Sequence, residues 1–450
     1  MLYPLSFRWS VRIILILFIP AFAPLSAQTS LSGLYQNYNA FQTTQENELL
    51  AGRNRFRLQL NSSISRGNLF AETDFIQRYN EETPVEFQLR ELYADLYFDQ
   101  SDLRIGVQKI IWGRAAGGFI ADILTPVDLR EFLTQDPDDL RFGLTALNYT
   151  RYFGANSLQI VASPLFQPDL LPPSDSRWFP IQTIPSPLPI RFQSADFDNS
   201  FSNIQLALRY GLRSSSVFDL DIYLMNWNHP MPAYSIRINF LNLPDLATVD
   251  LTETYNQSLM GGFSSAIRLG NNLTLNVEAL YVNRRLFTFL PVSVNLLEDA
   301  LTDLQSAFQL LQEFEFRDDG YILEKPWLNS MVGFQTDQLG FTINGQAYLE
   351  TIFGYEDRML SERLFPYATL LLNRPFLRDR LQMVFLTRYN IYAEDFWTQI
   401  QGVYELDDGI EVSLGANFFG GKEVTPFYGH FTFNQFKENS FIFSKVAVYF

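Results

Sequence analysis

Three arginines, Arg53, Arg55 and Arg57, stand at every second position of one short run. Successive side chains of an extended chain point to opposite faces, so all three share one face. A second run carries Glu72, Asp74 and Arg78 in a common phase. A third carries Glu91, Tyr93, Asp95 and Tyr97, and a fourth Arg104, Gly106 and Gln108. If these runs are neighbouring antiparallel strands, acids and bases meet across them. Such a surface suits two kinds of chemistry. It can be a salt-bridged wall that neutralises its own charge and stiffens a sheet. It can also be a selectivity strip that orients a charged or sugar-like solute in a lumen. The residues admit both, separately or together.

Little else reads as a reaction centre. The chain has no cysteine, which removes thiol nucleophiles, disulfides and zinc–thiolate sites. His229 and His430 are far apart in sequence, so no metal site is expected. No Gly-x-Ser-x-Gly occurs, and an enzyme that pairs a nucleophile with an oriented base is not expected. Asp136-Pro137-Asp138-Asp139 departs from the EF-hand pattern and reads as a solvated acidic loop. No cofactor is implied.

The elements that would position the charged runs are strands. Phe56, Leu58 and Leu60 alternate with the arginines, and Leu103, Ile105 and Val107 alternate with Arg104, Gly106 and Gln108. Ile204 to Arg209, Phe218 to Leu224, Leu273 to Ala279 and Ile410 to Asn417 repeat the pattern. This period of two, with one apolar and one polar face, fits a transmembrane barrel with lipid outside and a polar lumen inside. Aromatic residues make up 16% of the chain, 42 of them Phe, spread along these runs as lipid-facing surfaces and girdles require. Eight tight turns, such as Arg66-Gly67-Asn68 and Leu406 to Gly409, join sixteen strands. Runs near each end bring the expectation to about eighteen, with sixteen as the lower bound. An even count puts both ends on the tight-turn side, and the long segments 114–141, 164–200, 229–255, 285–325, 352–363 and 420–438 would face outside. Segment 164–200 is rich in proline. Segment 294–316 spaces Leu297, Leu301, Leu304, Phe308 and Leu311 as an amphipathic helix, which would cover the barrel mouth or fold inward to narrow it.

Both ends of the chain agree. Arg8 and Arg12 precede the apolar run Ile13 to Ile19, and Ala27 offers a cleavage point. That is the layout of a secretory signal peptide, so residues 1–27 are expected to be a leader and 28–450 one barrel. The net charge is −16, and the leader's two Arg and no acid leave −18 for the rest. That acidity excludes a nucleic-acid surface. At the far end Val446, Val448 and Phe450 share a strand face. They suit a closing strand whose apolar side meets lipid. This ending resembles the C-terminal signal of Gram-negative outer-membrane barrels, and the resemblance implies recognition by barrel assembly machinery.

The run Leu103 to Arg130 contains Gly106-x-Gln108, Trp112-Gly113, Asp122, Pro126-x-Asp128 and Arg130. Gly106 and Gly113 permit close approach or a bend. Trp112 suits an interfacial girdle or a lumen plug, and Asp128 would cap a short helix over 129–133. The same residues would also serve as a loop anchor that touches no solute. The run resembles a group of Gram-negative outer-membrane barrels within a porin-like and alginate-export-like superfamily. Porin-like architecture and passage of small solutes are what that resemblance implies. Lys109-Ile110-Ile111 departs from the pattern, and a charge of −18 argues against a polyanionic substrate. The expected function is an outer-membrane porin-like channel for small or medium solutes, with membrane lipid as its surroundings. The alternative is a non-transporting barrel that anchors surface loops for binding or envelope assembly.

Overall fold

The computed structural model describes residues 29–44, 48–79, 85–131, 134–179, 190–195, 203–213, 217–240, 247–292, 299, 304–313, 317, 319–422 and 432–450. The expected leader, with its cleavage point, lies outside them.

The first strands are β1 (Thr29–Gln42), β2 (Leu49–Ile64), β3 (Gly67–Arg78), β4 (Glu86–Phe98), β5 (Ser101–Gln108), β6 (Leu144–Phe153) and β7 (Asn156–Ser163). There follow β8 (Ile190–Gln193), β9 (Gln205–Arg213), β10 (Phe218–Asn228), β11 (Ala233–Phe240), β12 (Ala247–Thr254), β13 (Gln257–Leu269) and β14 (Leu273–Thr288). The last are β15 (Ile322–Gln338), β16 (Phe341–Ile352), β17 (Leu364–Phe376), β18 (Leu381–Asn390), β19 (Asp395–Asp407), β20 (Ile410–Gly421) and β21 (Phe441–Tyr449). All but β8, β11 and β12 form one 18-stranded sheet. Each strand pairs antiparallel with the next in that sheet, and β21 pairs with β1 from Leu34↔Tyr449 to Gln42↔Phe441. The ladder reaches the last residue, where Gly33 and Phe450 exchange backbone hydrogen bonds of 2.8 and 3.1 Å. The result is a closed antiparallel barrel without an edge, the form in which strands can span lipid.

The eight expected tight turns fall at the β2–β3, β4–β5, β6–β7, β9–β10, β13–β14, β15–β16, β17–β18 and β19–β20 junctions. The start of β1 and the end of β21 lie at that same end of the barrel. The opposite end carries the long segments and the shorter links 43–48, 79–85 and 391–394. There β11, β12 and the parallel β8 form a small separate sheet. The outer surface is apolar, with Phe56, Leu60, Ile105, Leu206, Ile222, Leu224, Val332 and Leu414 exposed. Val446 and Phe450 are exposed with them, and Val448 is half-buried on the same face.

Three expectations are corrected. Segment 114–141 does not stand outside; it is folded into the barrel, because acids and apolar residues along it match the walls they meet. The inner face is not polar throughout. Tyr223, Met225 and Trp227 of β10, Leu280 and Val282 of β14, and Tyr348 and Tyr367 of β16 and β17 form an apolar core within the barrel. On helix α1 (Leu304–Glu313), Phe308 of the expected apolar stripe is 63% exposed; Leu297 and Leu301 lie outside the described residues. Finally, Asp136 and Asp139 do not belong to a solvated loop: Asp139 is buried and Asp136 is paired with Lys445.

Candidate functional site: a lumen crossed by one loop

Strand alternation turns Arg53, Arg55 and Arg57 inward together, while Phe56 and Leu60 face out. Opposite them on β3, Asp74 accepts a two-pronged pair from Arg57 at 2.7 and 2.8 Å. Asp74 also lies 3.6 Å from Arg55. Glu72 accepts from Gln59 at 2.6 Å and pairs with Lys109 at 3.1 Å. On β4 and β5, Arg104 grips Asp95 at 2.7 and 2.9 Å, and Glu91 accepts the Lys109 backbone N–H at 2.8 Å. The charged runs therefore make one continuous wall.

One member of that wall was hidden from alternation. Glu91, Tyr93 and Asp95 face inward, so strict parity sends Arg90 into lipid. The β3–β4 register slips at this point, with Glu72 opposite Glu91 but Thr73 opposite Leu89. The extra residue of this bulge is Arg90, which turns inward and is almost fully buried. It donates to Glu72 at 3.3 Å and to the Asp139 carbonyl at 3.0 Å.

The loop 109–143 between β5 and β6 crosses the lumen, and its two legs differ in character. The first leg carries Ile110, Trp112, Ile120, Ala121, Ile123 and Leu124 into the apolar core. Its tip reaches β14, β16 and β17, on the wall opposite β5. There Glu278 Oε2 accepts the backbone N–H groups of Arg114 (2.5 Å) and Ala115 (3.1 Å), and Oε1 accepts that of Ala121 at 2.8 Å. Ala116 N–H donates to Gln346 at 2.9 Å and Gly117 N–H to Tyr348 at 3.1 Å. The returning leg is acidic and meets the charged wall. Glu131 pairs with Arg53 and Arg78, and Asp139 pairs with Arg55 and, at 2.7 Å, with Arg57. Asp136 pairs with Lys445 of β21 at 2.9 Å. Burial alone would raise the titration of Glu131, but Arg53 and Arg78 outweigh it and hold the carboxyl at about 2. Burial acts the same way on Asp139, and Arg55, Arg57 and Arg90 hold it below the usual carboxylate range.

The motif residues serve this crossing. Gly106 has φ 135°, and a Cβ there would overlap the Leu92 carbonyl oxygen. Gly113 has φ 92°, and a Cβ there would overlap the Glu278 carboxylate. Both positions need glycine for conformation and for space. Gln108 is fully buried, donates to the Ala146 carbonyl at 2.8 Å and accepts from Asn148 at 3.1 Å. Trp112 is a lumen plug and not a girdle residue. It stacks on Tyr223 with ring centroids 5.2 Å apart and donates to Gln159 at 3.1 Å. Beyond Pro126, Asp128 accepts the Arg130 N–H at 3.0 Å, as a cap would. The described residues after it form a turn at 130–131, and 132–133 of the expected helix lie outside them.

Beneath the first leg, toward the tight-turn end, lies a cavity of about 310 Å³. Asp95, Asp102, Arg104, Lys109, Trp112 and Arg209 are among its lining residues. Arg104 and Lys109 are held by acids. Arg209 differs: its guanidinium lies 5.7 Å from the Trp112 ring centroid, and no carboxylate among the described residues pairs with it. In the sequence Arg209 is only a polar-face residue, because nothing in its run marks it as facing a cavity. Glu131, Asp139 and Glu278 were likewise not singled out as partners, since long-range pairing with a loop has no local sequence signal.

No family model matches the chain, and no curated protein matches it by sequence. Solved structures do resemble it. Pseudomonas aeruginosa OccK2 (OpdF) matches with a TM-score of 0.51 at 9% identity, over 94% of this chain and 97% of that one. P. aeruginosa OpdK, an outer membrane protein also solved with vanillate, matches with a TM-score of 0.50 at 8–10% identity, over 94% and 98% of the two chains. Acinetobacter baumannii OccAB2 matches with a TM-score of 0.50 at 11% identity, over 94% and 97%. At such identities the likeness is one of fold. It agrees with the porin-like part of the sequence resemblance and not with the alginate-export-like part.

Proposed function

We propose that this barrel is an outer-membrane porin-like channel for passive or facilitated passage of small solutes, with small carboxylates foremost. One observation carries the reading: a cavity of about 310 Å³ lies inside a closed barrel, and its lining includes the Arg209 guanidinium, which makes no salt bridge among the described residues although Asp221 acts on it from further away. A half-buried cation beside an open space favours an anion there. OpdK, which shares the fold, has been solved with a carboxylate of this size, vanillate. Export through a leader cleaved after Ala27, assembly by the barrel machinery through the Val446, Val448 and Phe450 ending, and tight turns facing the periplasm all belong to the same reading.

Uptake into proteoliposomes tests it. Vanillate should enter faster than from empty vesicles, and Arg209→Ala should slow vanillate several-fold while leaving a neutral sugar of similar size unchanged. Equal effects on both solutes would remove Arg209 from recognition. The crossing loop and the apolar core within the barrel favour a second reading, a non-transporting barrel that presents its surface loops. Absence of any uptake by folded protein would select it.

A further inference from the structure

The tip of the crossing loop is held differently from its acidic leg. Glu131, Asp136 and Asp139 hold the leg through side-chain ion pairs to Arg53, Arg55, Arg57, Arg78 and Lys445. The backbone N–H groups of the tip meet one carboxylate, Glu278, and two neutral side chains, Gln346 and Tyr348; Gln346 also donates to the Arg114 carbonyl at 3.5 Å, and the Arg114 guanidinium lies 3.6 Å from Asp221. The three N–H groups on Glu278 come from the two ends of the tip, Arg114 and Ala115 before it and Ala121 after it. Glu278 thus joins the two ends of a short flap, its neck, through their backbone. The neck is flanked by Trp112 and Ile120, both nearly fully buried, whereas Ala116 and Phe119 between them are exposed. Beneath the flap Thr369 of β17 is buried, directly under Gly117.

We propose that Glu278 is a positioning residue for the channel: it latches residues 113–121 as a movable flap, and the latch sets how much of the lumen beside β17 is open. This rests on the channel reading for its consequence, but not for the latch itself. A short segment with exposed residues between two buried anchors opens more readily than the strands around it. Charge-assisted bonds to Glu278 join its two ends, and Arg114 adds a side-chain tie to Asp221. Removing the Glu278 carboxylate frees the neck while the strands keep their ladders.

Two readouts keep the latch and the channel separate. Because the chain has no cysteine, Thr369→Cys can be introduced as a single thiol under the flap and followed with a membrane-impermeant maleimide. In a Glu278→Ala background its labelling rate should rise by at least about tenfold, the factor that about 1.4 kcal/mol represents. Glu278→Gln, which keeps one carbonyl acceptor, should fall between. Heat-modifiability on a gel confirms that each variant is a folded barrel; should Glu278→Ala fail to fold, Glu278→Gln carries the test alone. An unchanged labelling rate in folded variants overturns the latch. Single-channel recording then reads the consequence: Glu278→Ala should conduct more than the parent and flicker. If labelling rises while neither protein conducts, the latch stands and the channel reading falls. If both conduct equally although labelling rises, the flap does not control the passage, and the assigned role is overturned.

Discussion

Arg53 shows how one side chain can serve wall and loop at once. Its run placed it on a polar face, and the structure gives that face a partner, Glu131, from a loop 78 residues further along. The position of Arg53 was legible because parity along a strand is strict. The partner was not, because no spacing links a strand residue to a loop that returns across a lumen. The pair has a measurable consequence. Glu131 titrates at about 2, depressed from 4.5. A carboxyl depressed by folding contributes stability that is present above its unfolded value and lost as pH falls through the folded one. The loop should therefore stay docked at neutral pH and loosen between about pH 4.5 and 2. Melting temperature followed over that window should fall, and Arg53→Gln should be less stable at pH 7 with a shallower fall. An equally steep fall in the variant would mean that other acids set the profile. Arg90 teaches the complementary lesson: a bulge reverses parity, and no residue type announces it.

At the level of elements, the strands and their eight tight turns were readable because lipid outside and lumen inside impose a period of two on every span. The ladder closes at Gly33 and Phe450, as the apolar ending led one to expect. Phe450 lies over Gly33 and stacks on Phe56 with centroids 5.8 Å apart. Phe450→Asp should reduce insertion of folded barrel, since a charge facing lipid costs about 2–4 kcal/mol at the midplane and less toward the interface. Fractionation with a heat-modifiability gel would show it, and undiminished folded barrel would remove Phe450 from the closing strand's lipid face. The loops were less readable. The amphipathic spacing near 294–316 marks a helix, yet among the described residues the run that crosses the lumen to the far wall is the irregular one after Gln108. Its apolar leg and acidic leg suit two different walls, and that match exists only once the barrel has brought β2–β5 and β10–β17 face to face.

For the whole molecule, a selectivity role for the charged wall belongs to the proposed channel, and the wall itself is salt-bridged. It neutralises its own charge and the acids of the crossing loop, and at its edge Arg104 and Lys109 border a cavity that Arg209 completes. A lumen narrowed by an internal loop carries small solutes slowly and selectively, whereas a barrel of this strand number without the loop would be wide. The most direct measurement is single-channel conductance in planar bilayers of the intact protein beside a variant in which residues 114–120 are replaced by a short glycine–serine link. The channel account predicts small, discrete steps from the intact barrel and steps several-fold larger from the variant. Folded barrels that give no steps in either form would contradict it and favour the anchoring role.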